Sequence, residues 1–251
     1  MAYYQEDVMK IYAHRGYSGC YPENTMLAYR QAVTAGCDGI ELDVQLAKDG
    51  TVVIYHDEKV ERTTDGVGNI RDYTYDELRK FDAAKQWNGK FKKEEIPSFE
   101  EYCEWASSLP IETNIELKTG LVYYPEIEQK TIDLIVKYGL EKKVMFSSFN
   151  HCSLRKAKEI APSIPCGALV GERGLVYAGY YCAQNGFEFY HPSYKTLDDA
   201  SVKELADKGV GINAWTIDGM AELEKLTAWK VAGVITDYPS VCRLYLSGLK
   251  E

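Results

Sequence analysis

Short apolar runs rich in β-branched and aromatic residues recur along this chain. Each is followed by a stretch whose apolar positions return at helical spacing. The runs fall at 11–13, 39–44, 114–117, 144–147, 166–170, 187–190, 211–215 and 233–236. Helix starts are marked by Asn24-Thr25, by Ser98 with Glu101 three residues on, by Asn150 and by Asp198-Asp199, and Gly36, Gly139 and Gly209 fall where helices should stop. Strand and helix alternating in this way predict a parallel sheet, and eight such units predict its closure into an α/β TIM (β/α)8 barrel. An open doubly wound sheet is the other arrangement, but no G-x-G-x-x-G follows the first strand.

A ninth apolar run, Thr51-Val52-Val53-Ile54-Tyr55, breaks this rhythm. Only Gln45-Leu46-Ala47-Lys48-Asp49-Gly50 separates it from the second strand, too little chain for a crossover helix, and Asp-Gly is a hairpin signal. The run therefore reads as an antiparallel return that brings His56 back beside the end of the second strand. Residues from about 57 to 97, rich in Gly, Thr and charge, read as the body of a small insertion after the second strand, spanning about 45–97 in all. The rest of 1–251 reads as one barrel domain.

The chain has 251 residues, 45% of them hydrophobic, enough to bury a full core. A net charge of −9 argues against a nucleic-acid surface, and the basic stretch at 90–93 is followed at once by Glu94-Glu95, which reads as a solvated face. The apolar runs are too short for a membrane span, and Met1–Asp7 has neither a basic nor an apolar export region, so no stable membrane insertion and a cytoplasmic location are expected. Seven cysteines without a C-x-x-C pair read as reduced, mostly buried apolar residues.

The chemistry concentrates at predicted strand ends. Ala13-His14-Arg15-Gly16, Glu41-Leu42-Asp43, His56-Asp57 and Asn114-Ile115-Glu116-Leu117-Lys118 together hold two histidines, acidic side chains, an arginine and a lysine, an inventory suited to metal-assisted cleavage of a phosphate ester. Glu41 and Asp43 are two apart and share a strand face, as do Glu116 and Lys118. Carboxylates on neighbouring strands make a hard-oxygen site of the kind Mg²⁺ or Ca²⁺ takes; the competing reading is an ion pair decorating a strand end. His14 and His56 form the pair that acid/base cleavage needs. His151, beside a helix start, and His191, in the loop after the sixth barrel strand, read as packed or solvated, with His191 the better placed of the two.

In order along the chain, His14-Arg15-Gly16, Pro22-Glu23-Asn24-Thr25, Glu41-Leu42-Asp43, Lys48-Asp49-Gly50, His56-Asp57, Arg62-Thr63-Thr64-x-Gly66-x-Gly68, Ile96-Pro97, Glu116-Leu117-Lys118, Ser148-Phe149, Trp215-Thr216 and Thr236-Asp237-x-Pro239 resemble the glycerophosphodiester phosphodiesterases. The resemblance spans nearly the whole chain. It implies a TIM barrel with a small insertion and hydrolysis of a small-molecule glycerophosphodiester to glycerol 3-phosphate and an alcohol. It further implies His14 and His56 as the acid/base pair, Glu41, Asp43 and Glu116 as ligands of a divalent metal ion, and Arg15 and Lys118 as phosphate-binding cations. Trp215 would cover the glycerol moiety or simply pack, and Glu23 and Asn24 would orient Arg15 or His14 or simply start the first helix. Tyr17, Tyr21, Tyr55, Tyr123, Tyr124, Tyr190 and Tyr194 lie in or near predicted mouth segments. Segment 57–97 holds no concentrated acidic or aromatic motif that would single out choline, so several head groups are expected to be accepted. Two other readings remain: a sphingomyelinase D-like phospholipase that forms cyclic phosphates, against which the P-E-N-T string and 62–68 weigh, and a non-catalytic polyol-phosphate binding protein. Mg²⁺ against Ca²⁺, the division of acid and base between the histidines, and a homodimer are left open.

Overall fold

In a computed structural model that describes residues 9–248, the strand signals become one sheet that closes on itself. The N-terminal segment read above for export signals lies outside the described residues. In chain order the strands are β1 (Lys10–His14), β2 (Gly39–Leu46), β3 (Val52–Ile54), β4 (Glu112–Leu117), β5 (Val144–Ser148), β6 (Cys166–Val170), β7 (Phe189–Pro192), β8 (Gly211–Ala214) and β9 (Gly233–Thr236). All but β3 run parallel, and β1 pairs with both β2 and β9, which closes an eight-stranded barrel with helices between its strands. β3 pairs antiparallel with β2, Val44 opposite Ile54, as the hairpin turn at Asp49-Gly50 predicts.

Parity sorts each barrel strand into two jobs. All of β2 is buried, but Ile40, Leu42, Val44 and Leu46 join the apolar layer beneath the helices, whereas the alternate positions carry Glu41, Asp43 and Gln45. A separate cluster of Tyr12, Met145, Phe189 and Ile235 fills the barrel interior. Two glycines make room for large interior side chains: a Cβ on Gly39 would meet the Tyr12 ring at 2.6 Å, and one on Gly167 would meet His191 Nε2 at 2.2 Å. Burial on the interior face costs nothing in backbone polarity, because the parallel ladder satisfies it.

Thr25 caps the first helix, Ser98 with Glu101 forms the expected capping box, and Asp198 caps its helix through Ser201. The insertion has its own apolar centre of Val53, Tyr55, Val60, Ile70, Leu78 and Ile96, which makes it a packed unit. Most strand bounds move by a residue or two, and one of these shifts relocates a candidate residue. β7 begins two residues later than the apolar run, at Phe189, because Phe187 still belongs to the turn that leaves the preceding helix, its N–H donating to Cys182 O after Gly186 in the left-handed region. His191 consequently lies within the strand and not in the loop after it.

Candidate active site

Two strand registers assemble the acidic centre. His14 on β1 pairs with Glu41 on β2, and Asp43 pairs with Glu116 on β4. The three carboxylates are buried, and one oxygen from each lies within 4.8 Å of the others. Beyond β1 the chain turns sharply: Arg15 has φ 54°, and Gly16 has φ 80° with its Cα packed so close that a Cβ would meet Ala28 at 2.8 Å. That turn aims the Arg15 N–H at Glu41 Oε2, 2.9 Å away, and sends its guanidinium to Glu23 Oε1, also at 2.9 Å. Lys118 Nζ sits 2.8 Å from Glu116 and 3.7 Å from Asp43. Asn24, also at positive φ, donates to Asp43 Oδ2 at 2.8 Å and accepts from the Tyr29 hydroxyl at 2.9 Å, so it serves the carboxylate directly and is not only a helix start.

Each histidine is held by a carboxylate. His14 Nδ1 lies 2.6 Å from Asp237 Oδ1, and His56 Nδ1 lies 2.5 Å from Asp57 Oδ1. The backbone on either side of His56 is pinned by buried Gln45, whose amide donates to Tyr55 O at 2.8 Å and to Asp57 O at 2.7 Å, while its own oxygen accepts from Tyr124. Arg62 then joins the two halves of the site. Its guanidinium donates twice to Asp57 and twice to Glu23, with distances of 2.6–3.0 Å.

Electrostatics at the centre are unbalanced toward the negative. Burial, reinforced by Asp43, raises the Glu41 carboxyl to about 8, and burial with Asp43 also raises Glu116. Burial works against the Asp43 charge as well, but Lys118, His56, Arg15 and the Asn24 amide outweigh it and hold Asp43 well below the usual carboxylate range. For His14, burial opposes the charged ring, yet the Asp237 hydrogen bond and Glu41 prevail and raise it. Asp43 Oδ1 is buried with no hydrogen-bond partner. Three close carboxylates, two resisting ionisation and one with an unused oxygen, fit a hard divalent cation, which would favour all three charges at once.

The remaining candidates separate. Trp215 follows β8, half-buried, its Nε1–H donating to His191 O at 2.9 Å and its ring edge-on to Phe149 at 5.9 Å. His191 is fully buried inside the barrel beside Asn213, and burial lowers it to about 3, so it is neutral. His151 stands on the helix after β5, where Nε2 donates to Leu169 O and Nδ1 accepts from Tyr181. Among the tyrosines, Tyr17, Tyr55, Tyr124 and Tyr190 spend their hydroxyls on protein partners, Tyr17 on Ser240 and Tyr55 on Val60 O and Thr63 within the insertion. All seven cysteines are free, and five are buried. Among the described residues no helix is long and apolar enough to cross a membrane.

Gln45, Asp57, Arg62 and Asp237 were not singled out by role from sequence. Gln45 could have been, since it continues the inward parity of Glu41 and Asp43.

Comparison with known proteins bears on this arrangement. Residues 14–241 match the model of the glycerophosphoryl diester phosphodiesterase family. The chain is 42% identical over 229 residues to a glycerophosphodiester phosphodiesterase of Caldanaerobacter subterraneus subsp. tengcongensis, covering 91% of this chain and 94% of that one. It is 38% identical over 238 residues to one from Bacillus altitudinis, covering 92% and 95%. A solved phosphodiesterase of Oleispira antarctica, in complex with the product sn-glycerol-3-phosphate, superposes with a TM-score of 0.84 at 30% identity, covering 96% of this chain and 97% of that one.

Proposed function

This chain belongs to the glycerophosphoryl diester phosphodiesterase family and is a glycerophosphodiester phosphodiesterase; from that premise we propose that it hydrolyses glycerophosphodiesters to glycerol 3-phosphate and a free alcohol, with His14 and His56 moving the protons and Glu41, Asp43 and Glu116 holding Mg²⁺ or Ca²⁺. The observation that carries the reading is the convergence of two carboxylate-oriented histidines on one buried triad of carboxylates. The product carried by the Oleispira antarctica relative supports the substrate class.

A carboxylate at Nδ1 accepts a hydrogen bond from that nitrogen, which keeps the proton of a neutral imidazole on Nδ1 and leaves Nε2 as the working atom, so Asp237 and Asp57 each fix a tautomer and a ring orientation. One Nε2 takes the proton of the attacking hydroxyl, whether the glycerol 2-hydroxyl or water. The other, protonated, gives its proton to the oxygen of the departing alcohol. Each such transfer contributes roughly 10²–10⁴ in rate. Arg15, anchored by Glu23, and Lys118, between Asp43 and Glu116, supply fixed positive charge for the phosphate oxygens without reorganising during the reaction. When bound, a divalent ion would add charge neutralisation at the same phosphate. The half-buried Trp215 indole, steadied by His191 O and Phe149, covers the glycerol carbons in this reading.

The test is release of glycerol 3-phosphate from glycerophosphocholine with added Mg²⁺ or Ca²⁺. His14→Ala and His56→Ala should each lower kcat by at least ~10²-fold while the fold and metal affinity persist. Full activity after exhaustive chelation, or near-normal turnover in either variant, refutes the corresponding role.

A further inference from the structure

Trp87 and Phe91 belong to the insertion and Tyr21 to the loop that follows β1, so nothing in their spacing groups them. Folding does. Phe91 lies 5.2 Å from Trp87 and 5.6 Å from Tyr21, ring centre to ring centre, and Tyr17 stands 5.5 Å behind Tyr21. Tyr21, Trp87 and Phe91 are each only partly buried. One cation already uses them: Lys90 Nζ lies 4.9 Å from the Trp87 ring centre and 5.3 Å from that of Phe91. That geometry is the attraction of positive charge to an aromatic face, strongest for indole.

The loop bearing Tyr21 is tied to the candidate active site at both ends. Ser18 Oγ donates to Asp237, the partner of His14, and Glu23 accepts from Arg15. The ring cluster thus stands on the insertion side of the mouth, and Trp215 with Phe149 stands at the segments after β8 and β5. On the proposed reading, with glycerol under Trp215 and phosphate at Arg15 and Lys118, the side of the mouth left to the departing alcohol is the one that the insertion borders.

We propose that Tyr21, Trp87 and Phe91 form a subsite for a quaternary ammonium on the departing alcohol, a place that the Lys90 ammonium occupies until such a substrate displaces it. The proposal rests on the phosphodiesterase reading above. It also revises the expectation that the insertion carries no aromatic recognition element. A trimethylammonium suits the subsite better than Lys90 does, because its charge is spread over apolar methyl groups and it loses less hydration on meeting the rings.

Two measurements test it. First, kcat/KM is compared for glycerophosphocholine and glycerophosphoglycerol. Trp87→Ala and Phe91→Ala should each lower the value for glycerophosphocholine about 5–30-fold, mainly through KM, the size of a partly desolvated cation–π contact. Glycerophosphoglycerol should change less than about threefold, and Trp87→Phe should restore most of the loss. Lys90→Ala, at an exposed position, should raise the value for glycerophosphocholine alone. Equal changes for both substrates, no change in any variant, or a fall for glycerophosphocholine in Lys90→Ala each overturn the subsite. Second, tryptophan fluorescence is titrated with tetramethylammonium chloride, independently of turnover. A saturable change in the wild type that is absent in Trp87→Phe supports the subsite, and no saturable change in the wild type overturns it. Lack of hydrolysis of both substrates alongside an intact titration would instead refute the phosphodiesterase reading.

Discussion

Arg62 is the sharpest place to perturb the site without touching any group that would meet substrate. Its guanidinium makes four hydrogen bonds, two to Asp57 at 2.6 and 3.0 Å and two to Glu23 at 2.7 Å. Asp57 holds His56, and Glu23 holds Arg15. Arg62→Met removes the clamp and keeps most of the side-chain bulk. Hydrogen bonds to charged groups contribute about 1.5–3 kcal/mol each when shielded, but the Arg62 side chain is 41% exposed and solvent screens it, so a total of about 1–2 kcal/mol of stability is expected. Activity should suffer more, because freeing Asp57 lets the His56 ring swing from its aim, and a misplacement of about 1 Å can cost ~10²-fold. A fall in kcat of roughly 10–100-fold is therefore expected, with Arg62→Lys between variant and wild type, since one ammonium cannot span two carboxylates. The pH dependence gives a second readout. Burial opposes the Asp57 charge, but the His56 and Arg62 hydrogen bonds win and hold it below the usual carboxylate range. A depressed carboxylate stabilises the fold above its unfolded value of about 4 and loses that contribution as pH falls through the folded value. The stability gap between wild type and Arg62→Met should thus be full near neutrality and shrink in acid. Denaturant melts at several pH values and steady-state kinetics check both parts; a variant with kcat within twofold of wild type would refute the clamp.

Other outcomes follow from the same geometry. Because burial and Asp43 raise Glu41 to about 8, a divalent ion must displace a proton from it near neutrality. Metal affinity should therefore climb as pH rises toward 8, and calorimetric enthalpies should depend on the buffer; a buffer-independent enthalpy would exclude a protonated Glu41. Mg²⁺ or Ca²⁺ should also raise the melting temperature in proportion to the logarithm of its concentration, an effect that Glu41→Gln should weaken. Asp237→Asn replaces the charged acceptor that raises His14 against the pull of burial with a neutral amide. A raised histidine stabilises the fold fully below its unfolded value of about 6.5 and loses that contribution as pH rises through the folded value, so this variant should be most destabilised in mild acid and close to wild type in alkali, as melts across pH would register.

The contrast between what was legible in sequence and what was not runs along one physical line. Periodicity reports which face of an element a residue occupies. It exposed the eight strands, the antiparallel return that carries His56, and the shared face of Glu41 and Asp43. It does not report which residue stands opposite. An apolar run also cannot tell a strand from the turn that feeds it, which is why β7 starts later than expected and His191 lies inside the barrel. Tyr21, Trp87 and Phe91 meet only because the insertion folds back over the first loop, a contact with no periodic signature. Asp237 is the instructive intermediate case. It lies 223 residues from His14, beyond any local pattern. Closure of the barrel nevertheless requires the last strand to pair with the first, and that pairing sets Ala13 beside Thr236. One step further along both strands, His14 meets Asp237. A carboxylate one residue past the end of the closing strand is therefore what a closed parallel barrel offers to a histidine at the end of its first strand. Once closure is accepted, the partner of His14 follows from register alone.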